Sequence, residues 1–463
     1  MIFQQYYLEC LSHASYLVGD ETTGRCVVVD PQRDVAQYVR DAEERGLTIE
    51  RVIETHFHAD FLSGHLELSA ATGAVISYGA GAEADFPIEP LAHGQRLTLG
   101  DVVLEVRATP GHTPESISIV VHEHAGDDVP YGVLTGDTLF IGDVGRPDLL
   151  SSAGRSADEL ARLLYRSTRE QLLTLPDATR VFPAHGAGSA CGKQLSTETS
   201  STIGEQRRTN YALAPMTEQE FVTAITEGQP VAPLYFAFDA RRNREQRDVL
   251  DEDTPPPSLT LAEVLDLQRA GAAILDTRDA LEFAGGHLRG SIEVGLGGRF
   301  AEYAGDVLTP DRPVVLVADP ERTLEAKVRL ARIGFDRVVG SLDDPLRTFL
   351  EHPEVVQRSS RVTVGTLAAL LGSGADVQVV DVRNPGETRL GTVAGARTLP
   401  LAQLLERADE LDPGRPTVVY CAGGYRSAIA TSLLASLGFG DVSDLLGGYD
   451  AWTASRSAAA TAR

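Results

Sequence analysis

The stretch Thr55–Phe61 reads Thr-His-Phe-His-Ala-Asp-Phe and follows the short run Arg51-Val52-Ile53-Glu54. A β-like run that ends in two imidazoles and a carboxylate at alternating positions throws His56, His58 and Asp60 into one loop at a strand's C-terminal edge. That is the spacing of a metal site, and a fold that carries it must bring further donors to the same edge. Donors of the right type occur later: His112 in Thr-Pro-Gly-His-Thr, Asp137 in Leu-Thr-Gly-Asp-Thr and His185 in Pro-Ala-His-Gly. They count against the plain alternative, a polar loop with incidental histidines.

The surrounding chain predicts strands that end at these donors. Tyr7–Val18 and Arg25–Val29 are β-rich, joined by a hairpin loop over 19–24, and place Cys10 and Cys26 on strands as buried small hydrophobes. His13 on the first of these runs reads as structural. Helical spacing runs from Val35 to Arg45 with Gly46 as a stop, and from Gly64 to Thr72 with Gly73 as a stop. Leu97–Ala108 reads as a strand hairpin, Ile117–His122 and Tyr131–Thr135 as strands, and His122 and His124 as solvated loop histidines. In Leu139–Leu149, Arg146 either meets an anionic substrate tail or pairs with Asp148. Cys191 follows His185 within a glycine-rich segment, with Lys193 near enough in sequence to favour a thiolate; a gating thiol and a space-filler are both open. The charge-dense stretch Arg241–Asp253 and Pro255-Pro256-Pro257 mark a linker.

The second half repeats itself. Leu275-Asp276-Thr277-Arg278 recurs 105 residues later as Val380-Asp381-Val382-Arg383, and each copy is a small α/β pattern. In the second copy Cys421-Ala422-Gly423-Gly424-Tyr425-Arg426-Ser427 follows a strand and opens a helix over 428–437. Gly423 and Gly424 let backbone N–H groups turn inward as an anion cradle with Ser427 at its end, the helix N-terminus stabilises a thiolate on Cys421, and Arg426 meets an oxyanion. The first copy has Ala318-Asp319-Pro320-Glu321-Arg322-Thr323 there, with no thiol, and reads as inert.

With 463 residues, 43% apolar and 23% charged, the chain is that of a soluble multidomain protein. Its net charge of −25 argues against nucleic acid as a partner. No long apolar stretch predicts a membrane span, and Met1–Gln5 lacks the start of a secretory signal, so the sequence reads as cytoplasmic. The four cysteines form no Cys-x-x-Cys pair. A homo-oligomer is compatible with all of this.

The order His-x-His-x-Asp, Gly-His-Thr, Gly-Asp and a late His-Gly resembles the metallo-β-lactamase superfamily over about the first 210 residues. Phe61 stands where its hydrolases usually carry a further histidine, and a benzyl group cannot ligate. That departure resembles the persulfide dioxygenase branch. The two repeats resemble rhodanese domains, through Asp-x-Arg and, in the second, Leu446–Trp452. The expected fold is therefore α/β: an αβ/βα sandwich over 1–250, a linker over 251–258, a degenerate rhodanese-like domain over 259–356 and an active one over 357–463. The resemblance implies one Fe(II) per chain on His56, His112 and Asp137, with His58, Asp60 and His185 orienting ligands and water. It implies a small-molecule persulfide and O2 as substrates, with Arg146 and Cys191 near them, and sulfur transfer to sulfite through Cys421. The rivals are a zinc thioester hydrolase of the glyoxalase II type and a sulfur-relay protein whose metal domain only binds.

Overall fold

The computed structural model describes residues 1–149 and 156–461. Two compact units form. The first holds residues 1–229, 236–251 and 331–334, and the second holds 230–235, 252–330 and 335–463.

The first unit is the expected αβ/βα sandwich. One six-stranded sheet runs in chain order through Ile2–Leu8, His13–Asp20, Arg25–Val29, Thr48–Ile53, Val75–Gly79 and Glu89–Leu91. The other has the order Ser201–Thr202, Arg180–Pro183, Gly132–Gly136, Ile117–His122, Val103–Ala108, Arg96–Thr98. Tyr16, Val27, Val29, Ile53, Leu104, Ile119 and Leu134 fill the space between the sheets. The alternate residues Cys26, Val28 and Val52 pack outward with Tyr38 and Leu68 of two covering helices. Burial on both faces explains why these strands read as continuous apolar runs.

The helices Ala36–Glu44 and His65–Thr72 lie where their spacing predicts, and Gly73 ends the second with φ 75°. Some expectations differ. The run Tyr7–Val18 is broken by a turn at Ser12, whose φ is 51°, so Cys10 is half-buried in a turn and only Cys26 sits on a strand. His122 is the buried last residue of its strand, paired with Val103 and 3.8 Å from Glu105, whereas His124 is solvent-exposed.

In the second unit the two copies carry parallel sheets of one order: Ser258–Leu259, Val338–Leu342, Val314–Val317, Ala273–Asp276, Ile292–Glu293, and Ser360–Val362, Val442–Leu445, Thr417–Tyr420, Gln378–Asp381, Arg397–Thr398. The repeated Asp-x-Arg is a chelate at a strand end. Arg383 donates to both oxygens of Asp381 at 2.9 and 2.6 Å and to the Gly391 carbonyl at 2.7 Å. Arg278 does the same with Asp276, at 2.9 and 2.5 Å, and with the Gly286 carbonyl at 3.1 Å.

The charge-dense stretch near residue 245 is not a free linker. Arg247 is buried in the first unit, where it and Arg33 both donate to Glu67 Oε1. Burial alone would raise the Glu67 pKa, but the two guanidiniums hold it below its ordinary value. Removing the carboxylate strands two buried cations, so Glu67→Gln is expected to destabilise the fold by about 3–5 kcal/mol at neutral pH. Because the folded-state pKa is depressed, the parent's advantage is present above the ordinary value of 4.5 and fades as pH falls through the lower folded value. Urea unfolding of both proteins at several pH values checks this.

Candidate metal centre and sulfur-transfer loop

Four strand ends deliver the donors. His56, His58 and Asp60 follow Thr48–Ile53, His112 follows Val103–Ala108, Asp137 follows Gly132–Gly136, and His185 follows Arg180–Pro183. All are buried. One donor atom from each of His56, His112 and Asp137 lies within 4.8 Å of the others, and the same holds for His58, Asp60 and His185, and for Asp137, His185 and Cys191.

Hydrogen bonds on the far side of each ring set its tautomer. His112 Nδ1 donates to the Arg146 carbonyl at 2.9 Å, and His185 Nδ1 to the Ser12 carbonyl at 3.2 Å. His56 Nδ1 donates to Thr55 Oγ1 at 3.0 Å, and that hydroxyl donates to Asp30 Oδ2 at 2.8 Å. Each Nε2 then presents a lone pair inward. Burial, with His58 and His112 adding, pushes the His56 pKa well down, so its ring is neutral, the ligating form.

His112 Nε2 stands 3.5 Å from Asp137 Oδ2, and His185 Nε2 stands 3.5 Å from Asp137 Oδ1 and 3.2 Å from Asp60 Oδ2. Yet His56 Nε2, His185 Nε2, Asp60 Oδ1 and both Asp137 oxygens make no hydrogen bond among the described residues. Buried acceptors facing one another this way suit a cation between them. Gly145 closes the site so tightly that a Cβ there would sit 2.0 Å from the Asp137 carbonyl oxygen and 3.1 Å from His112 Nδ1.

His58 also reaches a second set of carboxylates, with Nε2 3.2 Å from Asp30 Oδ1 and 3.5 Å from Glu54 Oε2. Burial alone would lower its pKa, but Asp30 and then Glu54 and Asp60 raise it to about 9. The fully buried Phe61 ring packs 4.4 Å from the His58 ring and 4.0 Å from that of His13.

Of the two readings open for Arg146 the structure shows the pairing with Asp148, and for Cys191 it alters the expected surroundings. Arg146 is buried, with Nε and Nη2 each 2.7 Å from Asp148 and Nη1 donating to the Ala190 carbonyl, so it braces loops rather than facing an open pocket. Cys191 does lie against Asp137 and His185, but not as a thiolate stabilised by Lys193. Lys193 Nζ bonds the Ala224 and Glu227 carbonyls, while burial, with Asp60 and Asp137 adding, pushes the thiol pKa well above its ordinary value.

In the second copy the helix starts at Tyr425, three residues before the expected Ala428, so Arg426 belongs to its first turn. Gly424, at φ 118°, donates its N–H to Cys421 Sγ at 3.1 Å, and Ser427 Oγ lies 3.7 Å from that sulfur. Gly423 has open space where a Cβ would stand. Arg426 is held by a bidentate pair with Glu387, 2.7 Å on each arm, so an incoming anion must share it with that carboxylate.

The Metallo-beta-lactamase superfamily model matches residues 8–185, and the Rhodanese-like domain model matches 260–349 and 363–455. The mitochondrial persulfide dioxygenase ETHE1 of Bos taurus is 34% identical over 235 residues, covering 50% of this chain and 82% of that protein. The chain belongs to the persulfide dioxygenase family. The Homo sapiens ETHE1 persulfide dioxygenase is likewise 34% identical, over 45% of this chain and 74% of its own length. A crystal structure of a metallo-β-lactamase from Staphylococcus aureus subsp. aureus COL is 34% identical with a TM-score of 0.67, covering 74% of this chain and 99% of that one. Two rhodanese-like domains follow the first unit, and with the persulfide dioxygenase relatives they support an enzyme of sulfur metabolism. Among the described residues no helix is long and apolar enough to cross a membrane.

Sequence reasoning missed Asp30, Thr55 and Asn243. Asp30 directly follows a β-rich run, the same strand-end signal as Asp137, and could have been found. Asn243 gave no signal. From 180 and more residues away its Nδ2 donates to the His58 and Phe61 carbonyls at 2.8 Å each, and its Oδ1 accepts from Ser63 N at 2.9 Å. Asn243→Ala is expected to cost about 3 kcal/mol of stability, since buried loop groups lose partners. Bound metal per chain should fall with it, as measured by thermal unfolding and elemental analysis.

Proposed function

We propose that this chain is an iron-dependent persulfide dioxygenase whose last domain transfers sulfane sulfur to sulfite. The observation that carries the reading is the donor set His56, His112 and Asp137, two imidazoles and a carboxylate, with the Phe61 ring packed against His58 where a further donor would be needed for a second metal. A single Fe(II) held there would supply open positions at which a persulfide and O2 meet and react. Atom balance requires one O2 and one water to turn a persulfide into a thiol and sulfite, with release of two protons.

The chain's own groups arrange that encounter. The Arg146 carbonyl and the Thr55–Asp30 pair orient the two imidazoles, while His58, Asp60 and His185 hold neighbouring ligands and water. Cys191 lines the Asp137 side as a neutral thiol and acts as a gate for bulky persulfides. In the last domain a persulfide on Cys421 lies under the Gly424 N–H, and Arg426 steers sulfite onto the outer sulfur. The S–S bond breaks, thiosulfate leaves, and the Cys421 thiolate remains. This is thiosulfate sulfurtransferase chemistry. The low-molecular-weight persulfide and cytoplasmic operation complete the reading.

Anaerobically purified protein should hold about one iron per chain, and His56→Ala, His112→Ala and Asp137→Ala should each abolish oxygen uptake, because a site with three protein ligands cannot lose one. Two zinc ions per chain with rapid thioester hydrolysis would instead mark a glyoxalase II type hydrolase.

Cys421→Ser should keep oxygen uptake but shift the product from thiosulfate to sulfite, quantified by chromatography. Thiosulfate formation at the parent rate, after correction for spontaneous reaction of sulfite with persulfide, would remove Cys421 from the transfer step.

A further inference from the structure

The first rhodanese copy lacks a thiol, yet it keeps a cavity of about 280 Å³ at the end of its sheet. Its wall carries the carboxylates Asp279, Glu282, Glu293 and Asp319 and one aromatic ring, Tyr425. The two cations in the wall are already engaged: Arg278 is chelated by Asp276, and Arg322 pairs with Glu325 at 3.0 Å.

Glu293 is the group that points to a ligand. It is fully buried at the end of the strand Ile292–Glu293, and its Oε1 accepts from Gly295 N at 2.8 Å. Oε2 has no hydrogen-bond partner among the described residues, although it belongs to the cavity wall. A buried carboxylate oxygen without a partner costs free energy that a cationic donor would recover. Burial, with Asp276, Asp279 and Asp444 adding, pushes the Glu293 pKa up to about 8, the direction expected where negative charge lacks a counter-ion.

The chemistry of the guest follows from the spacing. No three of these carboxylates bring oxygens within 4.8 Å of one another among the described residues, so they do not cage a bare metal ion. The cavity has room on the order of ten non-hydrogen atoms. Dispersed carboxylates around an aromatic ring suit an extended ammonium compound, which each acid meets by a charge-assisted hydrogen bond and the ring meets by its face. We propose that this cavity is a binding site for a small organic polyamine.

The site lies against the sulfur-transfer loop. Tyr425 directly follows Gly424, the Cys421 hydrogen-bond donor, and its hydroxyl donates to the Gly295 and Gly297 carbonyls at 2.9 and 3.2 Å. An occupant of the cavity therefore touches a residue of the loop that holds Cys421.

Isothermal titration calorimetry of the full chain with spermidine tests the proposal without any turnover, so it stands or falls apart from the dioxygenase reading. The expected result is saturable binding of about one spermidine per chain, weakened about tenfold or more by Glu293→Gln. Asp319→Asn should weaken it about twofold to fivefold, as one exposed ionic contact would. Asp319 is exposed at the rim, so this variant carries the test if Glu293→Gln fails to fold. No saturable binding, unchanged affinity in the folded variants, equal binding of succinate, or displacement of spermidine by stoichiometric Mg2+ would each overturn it.

Discussion

Imidazole nitrogens and carboxylate oxygens that face one another in a buried space without hydrogen bonds are expensive to fold. The first unit is built around carrying that cost. His56, His112, His185, Asp60 and Asp137 come from four strand ends of two sheets, so no single local segment pays for them. Their positions are set from behind, by the Ser12 and Arg146 carbonyls and by Asp30 through Thr55, and these contacts leave the inward nitrogens as acceptors. Asp30 itself adopts φ 49°, a left-handed conformation unusual outside glycine, which brings its two oxygens to Thr55 N and Oγ1. The backbone strain sits one step away from the donors it serves.

Much of this was legible because candidate donors at strand ends leave a short, local signature. The alternation in Thr55–Phe61 and the glycine and proline turns before His112 and Asp137 are features of neighbouring residues, and the structure keeps them where the spacing puts them. The repeat was legible for the same reason, since Asp276 and Arg278 form a chelate within three residues. What sequence could not show was pairing across long separations. Asn243 and Arg247 looked like part of a charged linker because their partners, the loop 58–63 and Glu67, lie about 180 residues away. Lys193 failed in the opposite way. It is two residues from Cys191, yet its ammonium group turns to carbonyls of another segment.

The Cys421 loop shows how a weak local signal becomes a geometric one. Two glycines and an arginine after a strand suggest an anion cradle, but the sequence leaves the arginine's resting partner unstated. Glu387, which also accepts from the Asn384 N–H at the start of its own short helix, holds Arg426 by both arms. The guanidinium is thereby oriented before any anion arrives, and a doubly charged guest meets a carboxylate as well as a cation.

The Asp-x-Arg chelate is present in both rhodanese copies although only one keeps a cysteine. Its bonds run from a strand end to a neighbouring loop carbonyl and do not involve the residues of the cradle. Architecture and chemistry are thus written in separate residues of the same small domain. A copy can therefore change every residue of that cradle and keep the bonds that tie its strand end in place, which is how a domain without a thiol retains the same sheet as one with it.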